Sequence, residues 1–128
     1  MILATIRTLH RGRLALMLFV LALCALSVPT AFAHSHPTAM MPAANETVTA
    51  PTMVMLHLSE AVEPKFSKIT VMDAAGKIVS KDAAVIAPDG MMMTVALPTL
   101  PHGIYTVKWV TVALDSHRAQ GEYKFTVK

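Results

Sequence analysis

Cysteine is nearly absent from this chain of 128 residues, and its one occurrence, Cys24, lies in an apolar stretch near the start. Residues 34–128 contain no thiol, which excludes thiol catalysis, zinc–thiolate sites and iron–sulfur clusters from that part of the protein. A small domain without disulfides depends on packing for its stability. Any metal bound there must use nitrogen, oxygen or the thioether sulfur of methionine.

An apolar run long enough to cross a membrane is also missing. The run at residues 14–28 has about 15 residues, whereas a spanning helix needs roughly 20. Arginines without any acid precede it, and Ala-Phe-Ala at 31–33 supplies the small residues of a cleavage site. We therefore predict that residues 1–33 are a cleaved signal peptide and that the exported protein begins at His34. An uncleaved membrane anchor is the alternative.

The exported part of the chain has no excess of charge of either sign. The net charge of +3 belongs to the leader, because residues 34–128 contain eight Lys or Arg and eight Asp or Glu side chains. A neutral domain offers no broad basic surface to nucleic acid or to an anionic membrane. The composition therefore excludes functions in which a broad basic surface binds nucleic acid or an anionic membrane.

Residues 34–128 show no apolar period of 3.6 residues sustained over three turns. Short runs that alternate polar and apolar residues, separated by Pro and Gly, are typical of strands instead. These runs lie at 52–59, 67–73, 77–80, 91–97, 103–112 and 121–128, and 36–51 reads as an N-terminal strand or arm with a turn near Asn45. About seven strands in some 95 residues predict one all-β domain, an immunoglobulin-like antiparallel β-sandwich with Greek-key connections, whose core includes the aromatic side chains Tyr105, Trp109 and Phe125.

Two stretches carry groups that could bind a metal. Cleavage before His34 leaves a free α-amine next to its imidazole, and the two nitrogens form a chelate. Asp115 and His117 lie two residues apart, and on an extended segment such side chains point the same way. Each alone is typical of a turn or a solvated loop, but nitrogen and oxygen donors together suit Cu(II).

With the sequence around them, these residues resemble the CopC family of periplasmic copper resistance proteins of bacteria. The resemblance covers the whole of 34–128. It rests on the histidine after the cleavage site, on MPAANETVTAP at 41–51, on VMLHLSEAVEPKFS at 54–67, and on LPHGIYTVKWVTVALDSHRAQGEYKFTV at 100–127. The last stretch is the most specific, since it matches a family pattern of Pro-x-Gly-x-Tyr-x-Val-x-Trp followed by Asp-x-His, Gly and Phe-x-Val.

The resemblance implies a non-enzymatic carrier that binds one Cu(II) per chain and serves copper resistance or homeostasis. The family's ligands fall on His34, Asp115 and His117. In some members the acid after the Leu-x-Leu-Ser strand is also implicated, which here is Glu60, and as a carboxylate it could orient an imidazole. The family also suggests a CopD-like inner-membrane copper transporter as a partner.

His36 offers a competing mode of copper binding. A free amine followed by histidine at the third position can hold Cu(II) through the amine, two deprotonated backbone amides and that imidazole. This mode and the His34 chelate use the same amine, so they exclude each other. The sequence leaves His36 as an accessory or alternative ligand.

The methionines depart from the better-known family members, which carry a Met-rich loop for Cu(I) after the strand that corresponds to residues 68–72. Here that position reads MDAAGKIVSKD, so a Cu(I) site of that type is not expected. The run at 91–93 cannot place three side chains on one ion in an extended strand, and we interpret these residues as core filler and strand surface. Met53, Met55 and His57 share a strand face, which we interpret in the same way.

The sequence is compatible with two other functions. A copper oxygenase with an N-terminal histidine brace also uses the amine and imidazole of a first-residue histidine, but Asp115 would occupy a position needed for oxygen. A sandwich module that binds no metal is the other alternative.

Overall fold

In the computed structural model, which describes residues 35–128, every regular element is a β-strand. The eight strands are β1 (Pro37–Met41), β2 (Thr47–Val48), β3 (Met53–Leu58), β4 (Lys68–Met72), β5 (Val85–Ile86), β6 (Met92–Ala96), β7 (Gly103–Val112) and β8 (Arg118–Val127). No helix suited to crossing a membrane occurs within this range. The predicted leader, 1–33, lies outside the described residues.

The strands form two four-stranded sheets, which confirms the predicted β-sandwich. The first sheet has the order β1-β3-β6-β5, and the second has the order β2-β8-β7-β4. All pairings are antiparallel except that of the short strand β2, which runs parallel to β8. The sheets are therefore antiparallel as predicted, with one short parallel pair at that edge.

Alternation along the strands builds the core between the sheets. In β3, Val54, Leu56 and Leu58 are buried while the residues between them face outwards. The same period of two buries alternate residues of β4, β6, β7 and β8. Tyr105 and Phe125 stack in this core with ring centroids 5.6 Å apart, as predicted, whereas Trp109 is only partly buried at its edge.

The long hairpin of β7 and β8 is the main support of the second sheet. Its register runs without a break from Gly103 opposite Val127 to Val112 opposite Arg118. Trp109 lies opposite Gly121, and a Cβ added at Gly121 would stand 2.6 Å from Cζ2 of the indole. The ring therefore covers a position that only glycine can occupy without a shift.

Two sequence predictions of strands differ from the structure. Residues 77–80 form no strand, and only one isolated bridge joins Ile78 to Met72. The short strands β2 and β5 had no signal of their own, because two residues are too few to show an alternation. Eight strands therefore replace the predicted seven, without a change of architecture.

Two segments far apart in sequence meet at one end of the sandwich. An isolated bridge joins Val62, which follows β3, to Ala113 at the end of β7. The amide of Glu63 also donates to the carbonyl of Val112 over 2.7 Å. The end of β3 and the turn between β7 and β8 are held together in this way.

Candidate metal centre

Asp115 and His117 lie on the tight turn that joins β7 to β8. The amide of Ser116 donates to Ala113, the amide of Ala113 donates to His117, and Ser116 has a φ of 72°. The extended segment predicted here from the sequence is therefore wrong. The two side chains nevertheless meet, since His117 Nδ1 lies 2.8 Å from Asp115 Oδ2.

Hydrogen bonds from His117 keep Asp115 ionised. The backbone amide of His117 donates to Asp115 Oδ1 over 3.1 Å. This bond, followed by the side-chain contact, lowers the pKa of the Asp115 carboxyl below its usual value. An ionised carboxylate only accepts hydrogen bonds, so the 2.8 Å contact requires a proton on Nδ1 of His117.

That contact selects a tautomer suited to metal binding. A neutral imidazole that carries its proton on Nδ1 has its lone pair on Nε2. A carboxylate that fixes a histidine in this way is a common partner of metal-bound imidazoles. Because each carboxylate oxygen has more than one lone pair, Asp115 can hold His117 and still offer an oxygen to an ion.

Ser35, the first described residue, is fastened to this end of the sandwich. Its side chain is fully buried, and its hydroxyl donates to the carbonyl of Glu60 over 3.1 Å. In return, the hydroxyl of Thr111 donates to the carbonyl of Ser35 over 2.7 Å. The start of the described chain is thus held between the end of β3 and the last residues of β7.

His36 is engaged with the residue that follows β3. Its amide donates to the hydroxyl of Ser59 over 3.1 Å, and its Nδ1 lies 3.2 Å from the same oxygen. The amide of Ser59 donates back to the carbonyl of His36 over 2.9 Å. His36 therefore lies near the same end of the sandwich, with both its backbone and its ring in contact with Ser59.

Glu60 lies where the sequence predicts it, just past the end of β3, and is half-buried. Its contact with Ser35 is made through its main-chain carbonyl. The structure therefore gives Glu60 a role in holding Ser35.

His34 lies outside the described residues, so the predicted set of ligands is described only in part. Asp115 and His117 are in contact, and the segments that carry His36 and Glu60 reach the same end of the sandwich. Within residues 35–128, no group of three or more His, Cys, Asp or Glu side chains could hold a metal ion. The described donors thus amount to a pair, which needs further ligands.

The sequence alone does not identify the residues that fasten Ser35 and His36. Thr111 had a detectable signal, because it is a polar residue at a buried position in the otherwise apolar alternation of β7. Ser35 and Ser59 had none, since a lone serine in a loop indicates no partner. Pairings over such long separations in sequence become visible only in the fold.

Comparison with known proteins relates the chain to a family. The CopC domain family matches residues 38–128. The chain is 38% identical over 106 residues to Protein YobA of Escherichia coli (strain K12), which covers 80% of this chain and 86% of that protein.

Two solved structures share the sandwich. CopC from Methylosinus trichosporium OB3b superposes with a TM-score of 0.70 at 34% identity, over 74% of this chain and 94% of that one. PcoC, a methionine-rich copper resistance protein from Escherichia coli, superposes with a TM-score of 0.67 at 31% identity, over 75% of this chain and 100% of that one.

Proposed function

The chain belongs to the CopC domain family, and on that premise we propose that it is a periplasmic copper carrier that binds one Cu(II) at the end of the sandwich. The ligands in this proposal are the amine and imidazole of His34 together with Asp115 and His117. The observation that carries it is the anchoring of Ser35 between Glu60 and Thr111. This anchor tethers the start of the mature chain beside the turn that bears the other two donors.

Covalent geometry limits how far His34 can lie from that anchor. Successive Cα atoms across a trans peptide bond are 3.8 Å apart, and Ser35 is bonded on both sides. In our proposal the amine ligand therefore belongs to the residue directly bonded to this anchored serine. Pre-positioning of a donor reduces the entropy that binding must overcome.

The donor set fits Cu(II) better than softer or harder ions. Imidazole nitrogens, an amine and a carboxylate oxygen are ligands that favour Cu(II), which also has the highest affinity of the divalent series. Asp115 contributes in two ways, as an anionic oxygen donor and as the acceptor that directs the lone pair of His117 to Nε2.

The alternative mode through the N-terminal tripeptide is disfavoured by the contacts of residues 35 and 36. That mode needs the amides of Ser35 and His36 in deprotonated form, and Nδ1 of His36. The His36 amide donates to Ser59, and the Ser59 hydroxyl also contacts Nδ1. Tripeptide binding would break these contacts, so in our proposal His36 is at most an accessory ligand, and Glu60 supports the site from its border.

Export and processing are part of the proposal, because only cleavage before His34 creates the amine. The signal peptide at 1–33 would direct the protein to the periplasm. N-terminal sequencing of the exported form should give His-Ser-His as its first residues. A start at any other residue would remove the amine ligand from the account.

In this role the protein carries copper and performs no catalysis, and a CopD-like membrane transporter is the recipient or donor of the ion. Asp115 occupies a position that an oxygen-activating copper site needs for its substrate. Copper-loaded protein supplied with a reductant should therefore consume oxygen no faster than copper-free protein in the same buffer with the same reductant. Sustained consumption would favour the oxygenase alternative.

Electron paramagnetic resonance of the mature protein with one equivalent of Cu(II) tests the ligand set. Nitrogen coupling should include the amine and the imidazoles of His34 and His117, and His117→Ala should remove one nitrogen. His102→Ala is the matched control, because His102 is exposed and precedes β7 at its opposite end. Identical spectra for both variants would contradict the proposal.

A further inference from the structure

The outer face of the first sheet has an unusual composition. Its four strands, 37–41, 53–58, 85–86 and 92–96, contain no Lys, Arg, Asp or Glu residue. Solvent-facing strand positions in an antiparallel sandwich are ordinarily polar. Here they carry methionines, one histidine and uncharged residues such as Thr94 and Ala96, with Met41 62% exposed and Met53 43% exposed.

The second sheet shows that this composition is not a general property of the domain. Most of its outer positions carry charged, amide or hydroxyl side chains, namely Lys68, Thr70, Thr106, Lys108, Arg118, Gln120, Glu122, Lys124 and Thr126, and Met72 and Ile104 lie among them. The outer face of the second sheet thus has one strand methionine, Met72, whereas that of the first has Met41, Met53, Met55 and Met92.

Strand pairing brings three methionines and one histidine from three neighbouring strands onto adjacent positions of this face. Met41 of β1 lies opposite Met55 of β3, and Met92 of β6 lies opposite His57 of β3. Directly paired side chains have Cβ atoms about 4.5–5.5 Å apart. Met55 and His57 are next to each other on the outer face of β3, at a spacing of about 7 Å along the strand.

The chemistry of these four side chains selects a soft ion. Thioether sulfur binds Cu(I) and ions like it, whereas hard divalent ions prefer oxygen, and imidazole is a good companion ligand for copper. The methionine side chain is flexible enough to turn its sulfur towards a common point. We propose that Met41, Met55, His57 and Met92 form a surface site for one monovalent soft ion, Cu(I) or Ag(I), with Met55 and His57 at its centre.

This methionine–histidine face is separate from the proposed Cu(II) site and does not depend on it. It uses none of the residues of that site. It also differs from a loop after β4, because its donors project from paired strands of the other sheet. Met93, between these positions, is fully buried in the core and is not part of it.

The test is titration of the mature protein with Ag(I), observed by NMR of protein labelled with ¹³C at the methionine methyl groups. The methyl signals of Met41, Met55 and Met92 should shift together and saturate at one equivalent. Those of Met72, on the outer face of the second sheet, and Met93 should stay in place. Shifts confined to other methionines, or none at all, would overturn the proposal.

Affinity measurements separate a metal site from an apolar docking surface. Replacing Met41, Met55 and Met92 together by leucine keeps the surface apolar and similar in volume, so the fold should be retained. We expect this change to lower the affinity for Ag(I) at least about tenfold, which corresponds to a binding free energy of about 1.4 kcal/mol. His57→Gln should also weaken it, and Met72→Leu is the matched control.

The two metal sites can be tested apart. Asp115→Ala should leave Ag(I) binding and the methyl shifts unchanged, whereas it should lower the affinity for Cu(II). If the triple leucine variant does not fold, the single variant Met55→Leu and the methyl shifts still decide the question. Unchanged Ag(I) affinity in folded leucine variants, or its loss in Asp115→Ala, would overturn the assignment.

Discussion

At the scale of single residues, Thr111 shows how a polar side chain in a core can serve a distant site. It is fully buried on the inner face of β7, and its hydroxyl donates to the carbonyl of Ser35 over 2.7 Å. Burying a hydroxyl is costly unless it forms a hydrogen bond. The bond therefore satisfies Thr111 and fixes the residue that follows the proposed amine ligand.

Thr111→Val should lower both stability and Cu(II) affinity. Valine has nearly the same shape but leaves the buried carbonyl of Ser35 without this donor, which costs about 1–3 kcal/mol. Denaturant unfolding and isothermal titration with Cu(II) measure the two effects. Thr106→Val, on the outer face of the same strand, is the control and should change stability by no more than about 0.5 kcal/mol. Equal effects of the two changes would contradict the anchoring role.

Tyr123 presents the opposite case, a buried hydroxyl without a partner among residues 35–128. Tyr123→Phe should therefore raise the unfolding free energy at neutral pH by about 1 kcal/mol. Tyr105→Phe is the matched control and should lower it, because the Tyr105 hydroxyl donates to the carbonyl of Pro101 over 2.8 Å. Changes of the same sign in both variants would show that this description of Tyr123 is wrong.

The same residue predicts a loss of stability in alkali. Burial raises the pKa of Tyr123 above its usual value, whereas in the unfolded chain tyrosine ionises near pH 10. The unfolded state therefore loses its proton first, and the wild type should lose stability as pH rises above about 10. Denaturant unfolding of Tyr123→Phe should show a weaker decline over that range. An identical decline of stability in both proteins would contradict the raised pKa of Tyr123.

At the scale of elements, the β7–β8 hairpin both closes the core and presents the turn that bears Asp115 and His117. Within it, Trp109 lies opposite Gly121 and its ring passes close to the glycine. Any side chain at 121 must displace the indole, because the ring lies across the space above the glycine. Strain from such a side chain would act on the two strands that flank the turn bearing Asp115 and His117.

Gly121→Ala should destabilise the protein by about 1–3 kcal/mol, the usual cost of overpacking. The added Cβ would stand 2.6 Å from Cζ2 and 2.9 Å from Cε2 of Trp109. Thermal unfolding measures the loss, and the fluorescence of the chain's single tryptophan reports movement of the ring. Gly103→Ala is the control, since its Cβ would meet nothing closer than Tyr105 Cε2 at 3.9 Å. A fully stable Gly121→Ala would contradict the tight packing described here.

The strands also show which parts of the fold and of the candidate sites can be predicted from the sequence alone. Alternation identified β3, β4, β6, β7 and β8, because a strand with one buried face imposes a period of two. Pairing between strands is not local, so the sequence could place Met55 beside His57 but not Met41 or Met92 around them. Asp115 and His117 were identified by their residue types, yet the turn that joins them depends on the positive φ of Ser116, which no pattern indicated.

At the scale of the whole molecule, residues 34–128 form a neutral sandwich with donors of different character at two places. One end carries hard and borderline donors, Asp115 and His117, and the anchored residue Ser35 lies at the same end. One face carries thioethers. Such a division would let a single small domain meet copper in either oxidation state without using cysteine.

Acidification should release Cu(II) from the end site between about pH 7 and pH 5. Protons compete for the ligands, and the reference pKa values are about 7.7–8.0 for the α-amine and about 6.5 for histidine. The pKa of Asp115 is lowered, so this carboxylate keeps its negative charge throughout that range and does not set the midpoint. Cu(II) paramagnetic resonance against pH measures the release. Retention of the ion until about pH 4, the range of ordinary carboxyl groups, would show that carboxylates control binding.

Isothermal titration of Cu(II) into the mature protein, with one alanine added before His34 or with His36→Ala, tests the central claim most directly. The added residue moves the amine away from the His34 imidazole and breaks the chelate, while the His36 variant removes only the tripeptide mode. We expect a large loss of Cu(II) affinity for the extended protein and a small one for His36→Ala. If His36→Ala proves the more damaging change, copper binds in the N-terminal tripeptide and not at His34, Asp115 and His117.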